Sequence, residues 1–168
     1  MIKAILMDFG DTIVVEEEGK RLSDMALEPV KGVEGFLEEF SSSVAIAILS
    51  NTLHSRKNDI QRLVDELGYS KHIREVFTSL DIGHTKPDPR IYHFALKALA
   101  IQPEETLMIG DRLDTDILGA SRAGIRSLHL HWRSRHDGKS VGSGVRPTYQ
   151  ANTYEAVSRI IRDLQITG

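Results

Sequence analysis

Short apolar runs alternate with amphipathic segments along most of this chain. We predict five strands from the apolar runs, at residues 4–7, 44–49, 76–80, 106–109 and 126–131. The second run has no polar alternation, which is typical of a strand buried on both faces of a parallel sheet. In the fifth run Ser127, His129 and His131 alternate with leucines, so we expect this strand at an edge of the sheet.

Apolar residues at helical spacing predict helices between these strands, at residues 33–40, 55–67, 89–99, 115–123 and 153–164, with a short helical turn at 22–27. Asp88 would cap the helix that starts at Pro89. This order indicates the α/β class, with a doubly wound, Rossmann-like parallel sheet and helices on both faces. Right-handed crossovers would bring the carboxyl ends of the strands to one rim.

The composition narrows the classes of function. The chain has 168 residues, no cysteine and a formal net charge of −3. The lack of cysteine excludes disulfides and thiolate catalysis, and the slight acidity argues against a nucleic-acid partner. No apolar run approaches the roughly 20 residues that span a bilayer, and the N-terminus lacks the pattern of a signal peptide. We therefore expect a cytoplasmic protein with no membrane partner, folded as a single domain over residues 1–168.

Polar side chains follow the ends of four of the predicted strands. Asp8 comes directly after the first run, and a carboxylate there is costly unless a cation or hydrogen bonds compensate it. The other candidates at strand ends and in the loops that follow them are Asp11, Thr12, Ser50, Asn51, Lys86, Asp111, Asp114 and Asp116. Carboxylates suit Mg²⁺, and Ser50 and Lys86 could hold phosphate oxygens. Since a carboxylate can also act as the nucleophile, the set favours phosphoryl transfer.

Four motifs in this order resemble those of the haloacid dehalogenase (HAD) superfamily. They are Asp-Phe-Gly-Asp-Thr at 8–12, Ile-Leu-Ser-Asn at 48–51, Lys-Pro-Asp-Pro-Arg-Ile-Tyr at 86–92, and Ile-Gly-Asp through Asp-Ile-Leu-Gly-Ala at 109–120. The resemblance extends from residue 3 to about residue 130. It implies a Mg²⁺-dependent phosphate monoester hydrolase that forms an aspartyl-phosphate intermediate.

The resemblance also assigns roles to individual residues. Asp8 would be the nucleophile, Ser50 would bind the transferring phosphoryl group, and Lys86 would neutralise it. The implied Mg²⁺ ligands are Asp8, the main-chain carbonyl of Gly10, Asp111 and Asp116. Thr12 and Asn51 are the remaining candidates for substrate binding, although Thr12 also suits a role in the turn.

Gly10 departs from the pattern of phosphatases in this superfamily. They usually carry a second aspartate two residues after the nucleophile, which protonates the leaving oxygen and then activates water. Asp11 is either its catalytic substitute or an acid that stabilises the turn. General acid–base catalysis is typically worth about 10²–10⁴-fold, so we expect slow turnover, and we predict that Gly10→Asp raises turnover of an aryl phosphate.

The space between the first two motifs is too short for the helical cap of many relatives. We expect residues 13–32 to form a short loop in its place, and the polar residues 132–150 to form a flexible loop. An open site would admit a small phosphorylated metabolite or a bulkier phosphorylated substrate. A second subunit could close it, so a homodimer is one expectation.

Other interpretations stay in view. A dehalogenase also lacks the second aspartate, but it does not require the metal that Asp111 and Asp116 suggest. A degenerate fold kept as a binding or regulatory module would explain Gly10, whereas a response-regulator receiver would carry its acid on the third strand. Single residues also have plain interpretations: Asp114 as a helix cap, His129 as a strand residue, and the glutamates at 16–18 as a solvated face.

Overall fold

Six parallel strands form one sheet in the computed structural model, which describes residues 1–17, 19–20, 26–133 and 145–166. The strands are β1 (Ala4–Met7), β2 (Ala45–Ser50), β3 (Glu75–Thr78), β4 (Thr106–Gly110), β5 (Arg126–Leu130) and β6 (Tyr149–Ala151). Their order is β3-β2-β1-β4-β5-β6, and every neighbouring pair is parallel. The predicted α/β class is therefore confirmed.

Helices cover both faces of this sheet. They are α1 (Val33–Phe40), α2 (Lys57–Glu66), α3 (Ser79–Ile82), α4 (Pro89–Leu99), α5 (Leu118–Arg122) and α6 (Tyr154–Ile166). Ile5 and Met7 of β1 pack with α1, α2 and α6, whereas Leu6 packs with α4 and α5. Successive side chains of a strand point to opposite faces, so β1 lies between two apolar layers. Within the described ranges, no helix is long and apolar enough to cross a bilayer.

The final helix is fastened along β1. The side-chain amide of Gln165 donates to the main-chain carbonyl of Ile2 at 3.0 Å, and its oxygen accepts from the Ile2 N–H at 3.2 Å. At the other end of α6, the ring of Tyr154 packs against Phe36 with 5.1 Å between centroids. The last helix therefore supports the strand that ends at Asp8.

The sheet has one strand more than the sequence predicts. β6 pairs with β5, so β5 lies inside the sheet, and Ser127 and His129 are buried. The prediction of an edge strand was wrong because β6 is only three residues long and follows a polar segment, which hides its pattern. The flexible loop predicted at 132–150 overlaps the start of β6, and its residues 134–144 lie outside the described ranges.

Other element boundaries follow local signals. The helix predicted from Pro89 is confirmed, and the Asp88 carboxylate accepts the main-chain N–H of Arg90 at 2.9 Å. The third strand is shorter than predicted, because Thr78 ends it and caps the single turn of α3. The helical turn predicted at 22–27 falls mostly outside the described residues.

A widened turn replaces the start of the helix predicted at 115–123. Leu113–Ile117 form a π-helical turn that leads directly into α5. The Tyr92 hydroxyl lies 3.0 Å from the Thr115 carbonyl oxygen and 3.2 Å from that of Asp116, so it can satisfy carbonyls at the widened turn. Such turns are frequent at functional sites, and this one carries Asp116.

The chain turns sharply after β1, and Val14 returns beside the residues that follow the strand. Val14 bridges Gly10 in parallel fashion and Pro29 in antiparallel fashion. The Val15 N–H also donates to the Glu28 carbonyl at 2.8 Å. This pairing holds the residues that follow the first motif close to the carboxyl end of β1.

Candidate active site

The carboxyl ends of β1, β2 and β4 meet around a cavity of about 210 Å³. The described residues that line it are Asp8, Gly10, Glu16, Ser50, Asn51, Lys86, Arg112 and Thr115. Asp8 follows β1 directly, Ser50 is the last residue of β2, and Lys86 comes from the loop before α4. Parallel strands place their carboxyl ends at one edge of the sheet, which explains why side chains so distant in sequence converge here.

Lys86 connects two of the predicted acids. Its Nζ lies 2.9 Å from Asp8 Oδ1 and 2.6 Å from Asp116 Oδ1. The side chains of Lys86 and Asp116 are almost fully buried. Burial alone would lower the pKa of Lys86, but the carboxylates of Asp116 and Asp8 raise it above its ordinary value. The lysine is therefore held as a cation beside Asp8.

Three carboxylates compete for this single ammonium. Asp8, Asp111 and Asp116 each offer an oxygen, and these oxygens lie within 4.8 Å of one another. Burial, with the charges of Asp8 and Asp116, raises the pKa of Asp111 to about 9. Burial also raises the pKa of Asp116 to about 6, although Lys86 opposes the shift. A hard divalent cation with oxygen ligands would relieve this repulsion, so the donor set fits Mg²⁺.

Surrounding groups hold these acids in place. The main-chain N–H of Arg112 donates to Asp116 Oδ2 at 3.1 Å. His129 on β5 places its Nε2 3.0 Å from the main-chain oxygen of Asp111. The sequence suggests only a strand residue at 129, because the contact depends on β5 lying next to β4. Asp114 pairs with the Arg112 guanidinium at 2.8 Å, and no side-chain cap is formed at this turn.

Asn51 fixes the main chain of Lys86. The Lys86 N–H donates to Asn51 Oδ1 at 2.8 Å, and Asn51 Nδ2 donates to the Lys86 carbonyl at 2.9 Å. Asn51 was a predicted substrate-binding residue, and it does line the cavity. The Asn51 side chain nevertheless hydrogen-bonds the main chain of the loop before α4, so its structural role is to position Lys86. Ser50 is buried next to it and faces the cavity without that constraint.

Asp11 and Thr12 occupy the turn rather than the cavity wall. Asp11 is buried, adopts a φ of 53°, and pairs with the Arg133 guanidinium. Its main-chain carbonyl accepts from Trp132 Nε1 at 2.7 Å. The carbonyl of Thr12 accepts from the Tyr154 hydroxyl at 2.6 Å. Neither residue is among the described residues that line the cavity, so the geometry favours structural tasks for both.

The comparison with known families decides the identification. A sequence model of the haloacid dehalogenase-like hydrolases matches residues 5–130, which covers all four motifs. This chain belongs to that family. The HAD relatives include the glyceraldehyde 3-phosphate phosphatase of Methanopyrus kandleri, 33% identical over 98 residues, which are 58% of this chain and 42% of that protein.

A second HAD relative is named for a different substrate. It is the phosphoserine phosphatase of Thermus thermophilus, 39% identical over 98 residues, which are 56% of this chain and 37% of that protein. This HAD chain therefore spans less than half the length of both relatives. A solved structure matches it nearly end to end: an uncharacterized protein from Listeria monocytogenes serotype 4b has a TM-score of 0.84 at 25% identity, and the match covers 98% of this chain and 99% of that one.

Glu16 lies beside Gly10 at the cavity of this HAD chain. A Cβ atom added to Gly10 would lie 2.9 Å from Glu16 Oε2 and 3.3 Å from its Cδ. The sequence suggests a solvated face at 16–18, because three glutamates in a row carry no signal for a buried contact. The position of Glu16 is set instead by Arg133, 117 residues away, whose guanidinium donates to the Glu16 carbonyl at 2.7 Å.

Proposed function

We propose that this chain hydrolyses phosphate monoesters with Asp8 as the nucleophile and Mg²⁺ as the cofactor. The observation that carries the proposal is the cluster of Asp8, Asp111 and Asp116 around one buried Lys86. Phosphoryl transfer depends mainly on positioning and on neutralising charge, and this cluster offers acids for a metal and a fixed cation for the phosphoryl oxygens.

Each residue then has a defined task. An Asp8 carboxylate oxygen bonds to phosphorus as the ester P–O bond breaks, which forms the aspartyl phosphate and releases the alcohol. The Lys86 ammonium, 2.9 Å from Asp8, neutralises negative charge on the transferring group. Ser50, which faces the cavity, donates its hydroxyl to a phosphoryl oxygen. Asp8, Asp111, Asp116 and the Gly10 carbonyl would hold Mg²⁺, which would supply further charge neutralisation.

The substrate is a phosphorylated small molecule, or a bulkier one that leaves most of its mass outside. A cavity of about 210 Å³ accepts a phosphoryl group and little more, so selection of the remainder falls to groups at its rim. The two relatives are named for different phosphorylated metabolites, and they support the class rather than one compound. We also propose that residues 13–32 form a short loop that leaves the site open, with closure by a second subunit as the alternative.

A phosphatase screen with and without Mg²⁺ tests this function. We expect Mg²⁺-dependent turnover, and we expect Asp8→Asn to lower it by about 10³-fold or more, because the amide is a poor nucleophile and a weaker metal ligand. Asp65→Asn is the matched control, since Asp65 lies on α2 outside the cavity and should leave turnover unchanged.

The alternatives make different predictions in this screen. Turnover that needs no metal, or that survives Asp8→Asn, would contradict the proposal. Release of halide from a 2-haloacid without added metal would indicate a dehalogenase. Mg²⁺ binding with no turnover on any phosphate ester would instead support a binding or regulatory module.

A further inference from the structure

The Glu16 carboxylate lies beside the place that a side chain at position 10 would fill. Its Oε2 is 2.9 Å and its Cδ 3.3 Å from the Cβ that Gly10 lacks. An aspartate at position 10 would carry its own carboxylate next to that Cβ. The usual second acid of the first motif is absent at position 10, but Glu16 places a carboxylate beside that position. Glu16 lines the cavity together with Asp8.

The main chain of Glu16 is anchored on both sides. Its N–H donates to Asp11 Oδ1 at 2.8 Å, and its carbonyl accepts from the Arg133 guanidinium at 2.7 Å. Arg133 in turn pairs with Asp11 and stacks over Trp132, with 4.8 Å from its guanidinium carbon to the ring centroid. Asp11 and Arg133 thereby act as positioning residues for Glu16.

We propose that Glu16 is the general acid and general base of the hydrolysis, in place of the absent aspartate. The inference rests on the proposed function, because it needs Asp8 to form the phosphoenzyme. It goes beyond the resemblance, which finds no acid at position 10 and offers only Asp11 as a substitute. Asp11 is spent on Arg133 and the Glu16 N–H, whereas Glu16 itself reaches the cavity.

The proton moves through Glu16 in both half-reactions. As an Asp8 oxygen bonds to phosphorus and the bond to the ester oxygen breaks, the Glu16 carboxylic acid gives its proton to the leaving oxygen. In the second half-reaction the Glu16 carboxylate takes a proton from water while the water oxygen bonds to phosphorus. The bond to Asp8 breaks, inorganic phosphate leaves, and Asp8 and Glu16 return to their starting forms.

Glu16→Gln tests this role because it keeps the shape of the side chain and removes its proton transfer. We expect kcat/KM for an alkyl ester, glycerol 3-phosphate, to fall by about 100-fold or more. For 4-nitrophenyl phosphate, whose leaving group needs no proton, kcat/KM should fall less than about 10-fold. Intact-protein mass spectrometry after a rapid quench should also detect accumulated phosphoenzyme, because water is no longer activated.

Glu17→Gln is the matched control. Glu17 pairs with Lys20 at 2.5 Å and is not among the described residues that line the cavity. The Glu17→Gln variant should retain the activity of the parent chain on both esters.

A second variant separates chemistry from packing. In the parent chain Gly10→Asp would place a second acid against Glu16, so we now expect little gain from it. In the Glu16→Gln background the new aspartate would meet a neutral neighbour and could take over the proton transfer. We expect the double variant to recover at least about 10-fold in kcat/KM for glycerol 3-phosphate over Glu16→Gln alone.

The outcomes separate the two proposals. Equal losses on both esters without phosphoenzyme accumulation, or no loss at all, would overturn the role of Glu16 while Mg²⁺-dependent turnover by Asp8 stands. A parent chain that turns over no phosphate ester in the Mg²⁺ screen would overturn both. Selective loss on the alkyl ester, phosphoenzyme accumulation and recovery by the double variant would together support Glu16.

Discussion

Two buried acids three residues apart, Asp8 and Asp11, have opposite surroundings. Asp8 shares Lys86 with Asp116 and lies within reach of Asp111, so three carboxylates face one ammonium. Asp11 pairs with Arg133, accepts the Glu16 N–H, and is not among the described residues that line the cavity. The first group holds an excess of negative charge, whereas the second is balanced.

This difference indicates that the cluster around Asp8 is suited to bind a ligand, whereas the Asp11–Arg133 pair is suited to position a loop. An unbalanced, buried cluster is costly to fold and is ready to bind a cation or a reacting group. A balanced pair that also binds main-chain groups fixes the position of a loop. The same residue type within one motif thus serves two purposes, and the partner cation decides which. Three experiments probe this contrast.

Removing the shared cation should have the largest effect on stability. Lys86→Met would leave Asp8 and Asp116 buried without their ammonium, and we expect the free energy of unfolding to fall by about 3–5 kcal/mol. Denaturant unfolding without added metal measures it. Lys97→Met is the matched control on the exposed side of α4 and should stay within about 0.5 kcal/mol of the parent. A loss no larger than that of the control would mean that the cluster does not depend on Lys86.

The excess charge should also couple stability to pH and to Mg²⁺. Burial and the neighbouring carboxylates raise the pKa of Asp111 from its ordinary value to about 9 in the folded protein, so its proton favours folding fully below the ordinary pKa and this contribution is lost as the pH rises toward about 9. Mg²⁺ needs the ionised acids, so its stabilising effect should grow with pH. At about 100 times its Kd, Mg²⁺ should add about 2.7 kcal/mol.

Thermal unfolding with and without Mg²⁺, at about pH 6 and about pH 8, measures this coupling. Asp111→Asn should flatten the pH dependence of the metal-free protein and remove most of the Mg²⁺ effect. An undiminished Mg²⁺ effect in that variant would show that the ion binds elsewhere.

The balanced pair should respond least. Asp11→Asn keeps an oxygen for the Glu16 N–H but loses the carboxylate charge that pairs with Arg133, so we expect a loss of about 1–2 kcal/mol in the free energy of unfolding. Turnover should change less than about 10-fold, because Asp11 only positions Glu16. A loss of turnover as large as that of Asp8→Asn would instead make Asp11 a catalytic residue and erase the contrast.

Much of the fold and part of the site could be predicted from the sequence, because the signals lie in short runs of neighbouring residues. Asp8 and Ser50 each end a continuous apolar run, and Lys86 and Asp111 follow the next two. Parallel strands bring such ends together without any knowledge of side-chain contacts. The order of the motifs therefore anticipated which acids meet around Lys86.

The remaining features depend on contacts between distant segments. Arg133 binds the main-chain carbonyl of Glu16 beside the cavity. Asp116 takes its position from a π-helical turn whose carbonyls contact the Tyr92 hydroxyl. His129 meets Asp111 because β5 pairs with β4, and β6 covers the other edge of β5. Neither a three-residue strand nor an extra residue in a turn leaves a periodic pattern to detect.

The contact between Tyr154 and Thr12 joins the last helix to the first loop. Its partners are 142 residues apart, and the bonds of Gln165 to Ile2 span 163 residues. The segment around Asp8 is therefore made early in translation, whereas these two contacts form only after α6 has been made. The candidate site therefore takes its form from contacts that run from the first loop to α6, and the local motif alone does not supply them.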